Sequence, residues 1–284
     1  AAASAGARAD AAALARKLAR AERYRSRLEE TKELQAALLR TIGAEIEAAR
    51  QRIAAQNDEL RRLYAELTRE QETSEALLLN ILPRGVADEL KRTGRVRPVH
   101  YDAVSVLFTD FQGFTRIAGS MDPEALIRAL DRYFTAFDAI IERHGLEKLK
   151  TIGDAYMCAA GIPAPQADHA LRAARAAWEM QAFMRGAIAG QEARGEAVWR
   201  LRIGIHSGPL MAGVIGHKKF AYDIWGDTVN VASRLESAGE PGRINVSAAT
   251  AREIAGEFEC AARGPIAIKN AGSIEMFFVE RRRG

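Results

Sequence analysis

The chain has 284 residues, enough for one large domain or two moderate ones with a buried core, and 48% hydrophobic with 27% charged residues excludes disordered and collagen-like classes. Its 41 basic and 37 acidic residues leave a formal charge of only +4, and no stretch combines clustered Lys/Arg with interleaved aromatics, so nucleic acid is not an expected partner. Cys158 and Cys260 lack CxxC spacing and no apolar run reaches the roughly 20 residues of a membrane span, so the expected location is cytoplasmic; a sensor or membrane tether is expected only in a parent protein, upstream of Ala1.

Residues 1–25 are so rich in alanine that helix follows from propensity alone, with no function assigned. Residues 26–82 are rich in Glu, Arg, Ala and Leu, and up to Ile81 they hold no proline and a single glycine, which favours an uninterrupted helix. Leu39, Ile42, Ile46, Ala49, Ile53, Leu60, Leu63, Leu67, Leu77 and Ile81 fall on alternating three- and four-residue steps, the seam of a left-handed coiled coil. Gln56, Glu70 and Ser74 land on the same seam, where polar residues cost stability but fix register. A parallel, dimerising and signal-transducing coiled coil is therefore expected; a lone charged helix bridging two domains is the competing reading. Pro83 ends the helix, and residues 83–98 form a short helix (84–91) and a linker opened by Gly94, whose basic cluster Lys91, Arg92, Arg95 and Arg97 reads as solvated.

From residue 99 to 284 strands and helices alternate. Val104–Phe108 reads as a buried strand, and Asp122-Pro123 caps a helix that runs to His144 and stops at Gly145. Strands are expected at 146–150 and 155–160, a helix over 169–188, and two separate strands at 200–206 and 211–215. A helix at 228–237, a strand at 243–246, a helix at 248–254 and a closing antiparallel pair at 257–263 and 274–280 complete an α/β (α+β) sandwich, with helices against one mixed sheet.

Asp110, in VLFTDFQGFT, leaves an apolar strand into a turn over Phe111, Gly113, Phe114 and Thr115 whose backbone N–H groups could face a phosphate. Alone it reads as a turn residue or a helix cap. Asp154, in KTIGDAYM, sits in a tight turn that a hairpin beside the first strand brings close to Asp110. Two facing carboxylates repel unless a cation lies between them, and Mg²⁺ prefers one or two carboxylates plus substrate phosphates, so the pair suits two metal ions on a nucleoside triphosphate.

The blocks LFTDFQGFT, LEKLKTIGDAYM, IGIHSGPLMAGVIG and YDIWGDTVNVASRLES resemble those of class III adenylate and guanylate cyclases, from about residue 99 to 279. The resemblance implies a ferredoxin-like catalytic fold. It implies that Asp110 and Asp154 hold two Mg²⁺ (or Mn²⁺) ions, with the Phe111 carbonyl as a further ligand. It gives Asn230 the ribose, Arg234 the α-phosphate and Lys269 the triphosphate, although the AGS after Lys269 departs from the usual turn. Gln112 is the one unusual residue beside the metal loop.

By the same resemblance Lys150 and Asp223 read the purine. Adenine presents an acceptor at N1 and a donor at N6, which suits a cation and an anion; guanine reverses both, and its cyclases typically carry Glu and Cys. ATP is thus the expected substrate and 3′,5′-cyclic AMP the product, a guanylate cyclase and a catalytically silent nucleotide-binding module being the alternatives. A plain Lys150–Asp223 salt bridge is the structural reading of the same pair. The family pattern takes the metal ligands from one subunit and Lys150, Asp223, Asn230, Arg234 and Lys269 from the other, so a homodimer through coiled coil and catalytic domain is implied. His100, His144, His169, His206 and His217 lack metal-ligand spacing, and His206 on an apolar strand reads as a core residue.

Overall fold

The computed structural model describes residues 2–216, 220–268 and 272–283, with side chains from residue 13 onward. It divides into two compact units, residues 1–75 and 76–284. Helix α1 (Ala2–Leu79) supplies the whole of the first. Leu39, Ile42, Ile46, Ile53, Leu60, Leu63 and Leu67 are all 42–69% exposed along it, so a single chain leaves the apolar seam uncovered.

In the second unit Pro83, which cannot continue a helix, begins α2 (Arg84–Thr93), and Gly94 closes it in the left-handed region at φ 71°. The remaining elements are β1 (Val99–Phe111), α3 (Phe114–Ser120), α4 (Pro123–His144), β2 (Glu147–Ile152), β3 (Ala155–Ala160), α5 (His169–Arg194), β4 (Leu201–Val214), β5 (Tyr222–Trp225), α6 (Asp227–Ser237), β6 (Ile244–Ser247), α7 (Ala248–Ile254), β7 (Phe258–Ile268) and β8 (Gly272–Arg282). The strands form one mixed sheet in the order β2-β3-β1-β4-β6-β8-β7, with β5 on β4, and β4–β6 is a parallel pair. Asp122 caps α4 by accepting from the Ala125 N–H at 3.1 Å, and Gly145 at φ 67° stops it, as the sequence implies.

Alternation along the strands feeds two cores. Leu107, Phe111, Tyr156, Cys158, Leu201, Ile203 and Ile205 face α4, α5 and α7, whereas Val104, Val106, Phe108, Met157, Leu210, Tyr222 and Ile224 face α2 and α6. The expected break between residues 206 and 211 is absent: β4 is one strand through Ser207, Gly208 and Pro209. Proline has no N–H for the ladder, and β1 accommodates it with an irregularity between Tyr101 and Val104, opposite Leu210 and Gly208. Two short elements went unpredicted, α3 and β5.

Candidate active site

The end of β1 and the β2–β3 turn bring Asp110 and Asp154 together, because β3 pairs antiparallel with β1. Gly153 at φ 63° lets the turn close tightly. Burial, and then the Asp110 charge, push the Asp154 carboxyl above its ordinary value, opposed by backbone hydrogen bonds from Asp154 itself and Phe111 and by the Arg202 charge. An acid made costly to ionise by burial and by the charge of its neighbour forms, with that neighbour, a site that gains from a cation.

Arg202, which the sequence reading missed, occupies the centre of this cluster. Its Nη2 donates to Asp110 Oδ1 at 2.8 Å and lies 3.1 Å from Glu236 Oε1 on α6. Glu236 is buried, and burial followed by the Asp110 and Asp154 charges pushes its carboxyl up to about 7 against the pull of Arg202. Arg202 Nε and Glu236 Oε1 are nevertheless buried without an aligned hydrogen bond among the described residues. Buried polar atoms left open beside paired carboxylates fit a divalent cation and an anionic ligand. Among the described residues no group of three or more His, Cys, Asp and Glu side chains is arranged to hold a metal. Two carboxylates with a backbone carbonyl, as expected for Asp110, Asp154 and Phe111, fall below that number.

The loop after Asp110 is held by its aromatic side chains. Phe111 is buried with its ring 5.1 Å from Trp199 and 5.3 Å from Tyr133, and Phe114 lies 5.8 Å from Trp199. Gly113 takes φ 70° as the residue before α3, while Thr115 is exposed in its first turn. The Phe111 side chain is thus an anchor that leaves only its backbone to face a ligand.

Lys150 on β2 and Asp223 on β5 meet directly, 73 residues apart in sequence: Lys150 Nζ donates to Asp223 Oδ2, while Asp223 Oδ1 accepts from the Ile224 N–H at 3.0 Å. Asn230 and Arg234 lie one helical turn apart on α6, Asn230 exposed and Arg234 half-buried, and among the described residues neither makes a side-chain hydrogen bond. Lys269, and with it His217, lies outside the described residues.

Large apolar side chains surround these groups in the open. Ile152 at the end of β2, Met211 on β4, Ile215 just after it, Phe220 just before β5 and Trp225 at its end are 36–64% exposed.

The sequence model described as the adenylate and guanylate cyclase catalytic domain matches residues 96–281. An adenylate cyclase of Mycobacterium tuberculosis is 41% identical over 223 residues, 78% of this chain and 49% of that protein. The guanylate cyclase soluble subunit beta-2 of Rattus norvegicus is 35% identical over 237 residues, 83% of this chain and 34% of that protein. The chain therefore spans half or less of the length of these curated relatives. Among solved structures, the adenylyl cyclase CyaB from P. aeruginosa superposes with a TM-score of 0.63 at 30% identity, over 66% of this chain and 97% of that one.

Proposed function

Since the chain belongs to the class III adenylate and guanylate cyclase family through residues 96–281, we propose that it converts ATP to 3′,5′-cyclic AMP and pyrophosphate. The observation that carries the choice of base is the contact between Lys150 and Asp223. Each orients the other, so the lysine offers N–H donors toward adenine N1 and the carboxylate accepts from the N6 amine. A guanine would meet the lysine with its N1–H and the carboxylate with its O6, leaving both unpaired at a cost of several orders of magnitude.

Asp110 and Asp154 hold Mg²⁺ in this reading, Phe111 adding its backbone carbonyl, and Mn²⁺ is the substitute. The bound ions supply Lewis acidity toward the ribose 3′-hydroxyl and the triphosphate. Asn230 orients the ribose so that the 3′-oxygen lies in line with the α-phosphorus. Arg234 donates to the α-phosphate as charge grows there, Lys269 binds the triphosphate, and the backbone N–H groups of Gly113, Phe114 and Thr115 line its other side. Arg202, whose donors would be freed wherever a cation took its place at Asp110, would offer them to the phosphates.

The site is assembled between two copies, one giving the acids and the other the purine pair, Asn230, Arg234 and Lys269. The exposed apolar residues Ile152, Met211, Ile215, Phe220 and Trp225 support this surface, and the uncovered seam of α1 supports a parallel coiled coil with the same two-fold symmetry. Leu78, Leu79 and Leu82 pack with Leu149 and Tyr222, the neighbours of Lys150 and Asp223, which supports a gate driven by the helix ends.

Initial rates with ATP and GTP, side by side, test the substrate: ATP is expected to be strongly preferred, and a preference for GTP would make the chain a guanylate cyclase. Mixing Asp110→Ala with Lys150→Glu chains tests the shared site. Each variant alone is expected to be nearly inactive and the mixture to regain one intact site; absence of rescue would refute it.

A further inference from the structure

A buried string of polar side chains crosses the domain away from the metal cluster. Glu253 Oε2 on α7 lies 3.3 Å from His169 Nε2, and His169 Nδ1 lies 2.8 Å from Ser105 Oγ on β1. Ser105 Oγ is 2.7 Å from Ser207 Oγ on β4, which is 3.0 Å from Thr250 Oγ1 on α7. Thr250 Oγ1 is 3.2 Å from Ser247 Oγ, and Ser247 Oγ is 2.8 Å from His206 Nδ1 on β4. Ser105, His169, Ser207, Ser247 and Thr250 are all buried.

The donors can be counted along the string. Five hydrogen bonds join His169 to His206 and need five protons, and each of the four hydroxyls owns only one. The Glu253 carboxylate, 3.3 Å from Nε2, attracts the proton of a neutral imidazole to that nitrogen, and Nδ1 then accepts from Ser105. Ser105 then accepts from Ser207, Ser207 at 3.0 Å from Thr250, whose hydroxyl has the Ile205 carbonyl as a longer alternative acceptor at 3.5 Å, and Thr250 from Ser247. Ser247 has no proton left for His206, so His206 must carry its own on Nδ1 and keep a lone pair on Nε2. The proton position at His206 is thereby tied to a carboxylate from which five other side chains separate it. Burial also holds His206 below its ordinary pKa, in the neutral form that can exist as two tautomers.

The His206 end lies under the helix that carries Asn230 and Arg234. A Cβ built on Gly208 would stand 2.8 Å from Thr228 Oγ1 and 3.6 Å from His206 Nε2, so both groups enclose the same spot. Thr228, in the first turn of α6, donates to the Pro209 carbonyl at 2.6 Å. Ser207, held from β1 and α7, therefore fixes the stretch of β4 on which α6 begins.

We propose that the string from Glu253 to His206 is a proton-ordered relay that fixes the tautomer of His206 and positions the first turn of α6. Its members touch no reacting atom and are positioning residues; their link to turnover rests on the proposed roles of Asn230 and Arg234.

The test uses the full chain labelled with ¹⁵N-histidine at pH 8, with His169 and His206 assigned by His169→Asn and His206→Asn, read by long-range ¹H–¹⁵N correlation. In the unaltered chain His169 is expected as the Nε2–H tautomer and His206 as Nδ1–H. Thr250→Val keeps the shape but removes the hydroxyl, so Ser247 is freed to donate to His206; His206 is expected to pass to Nε2–H while His169 does not change. Thr250→Ser is expected to restore both signals. Turnover of Thr250→Val should fall about tenfold with KM within about twofold, and Thr250→Ser should recover it. An Nε2–H His206 in the unaltered chain, which needs no variant to fold, would overturn the relay, as would an unchanged His206 in Thr250→Val. A tautomer change with unchanged turnover would overturn the positioning role. A chain inactive with both ATP and GTP that still shows the tautomer change would uphold the relay and overturn the cyclase reading.

Discussion

Gly204→Ala probes how α6 is seated. Gly204 lies in β4 between Phe108 of β1 and Asn245 of β6, and α6 crosses directly over it. A Cβ there would stand 2.1 Å from the Glu236 nitrogen, 2.6 Å from its Cα and 2.7 Å from the Ala232 carbonyl oxygen. Ordinary contact begins near 3.4 Å, so the helix backbone must retreat by about 1 Å. No flexible side chain is available to give way, and overpacking of this kind costs about 1–3 kcal/mol. The same displacement carries Arg234 from its place and loosens the Glu236–Arg202 contact, so turnover should fall roughly tenfold to a hundredfold, the usual result of a 1 Å misplacement. Gly186→Ala in α5 is the control: nothing lies within 4 Å of its Cβ, and alanine should stabilise the helix by about 1 kcal/mol without touching turnover. Thermal unfolding and initial rates with ATP measure both. A Gly204→Ala chain within about 0.5 kcal/mol of the parent and with undiminished turnover would show that α6 does not rest on β4 as described.

Three further outcomes are expected. Lys150→Glu combined with Asp223→Cys should move preference from ATP toward GTP, measured as the ratio of kcat/KM values, and an unchanged ratio would remove both residues from base recognition. Glu147 is pushed by burial from 4.5 up to about 7, so the folded state holds a proton that the unfolded state releases and stability falls as pH climbs through that window. Glu147→Gln should therefore raise stability by about 2 kcal/mol at pH 8 and by little at pH 5, and equal melting gains at the two pH values would contradict this origin. Trp199→Ala should cost about 3–5 kcal/mol and weaken divalent-cation binding by calorimetry, since the ring supports Phe111 and Phe114; a folded variant with unchanged cation affinity would separate the aromatic cluster from the metal loop.

Local chemistry made part of this fold legible. Asp122-Pro123 and Gly145 bound α4 because capping and left-handed termination act within a few residues. The single strand through Gly208 and Pro209 was not legible, because the irregularity that tolerates it belongs to β1, about a hundred residues earlier. β5 is four residues long and owes its pairing to β4, so no periodicity announces it. Arg202 did leave a signal. It interrupts the apolar run of a strand buried on both faces, where an arginine persists only if anions face it. Those anions, Asp110 and Glu236, come from opposite sides of it in sequence, and only the assembled sheet joins them.

The two proposed half-sites are each neutralised by ion pairs within the chain, and the difference between them bears on the proposed selectivity. Lys150 and Asp223 are 42% and 20% exposed in their side chains, so water screens their attraction and a purine can replace it at modest cost. Arg202 and Glu236, at 24% and 8%, lie in drier surroundings, where losing a partner is expensive unless another charge arrives. On the proposed function, a purine would therefore be sampled readily at Lys150 and Asp223, whereas the cluster of Asp110, Arg202 and Glu236 would release its internal contacts only to a ligand that brings charge of its own. The base is therefore expected, on the same proposal, to be read before the phosphates are committed, with a mispaired guanine leaving before Arg202 has to move.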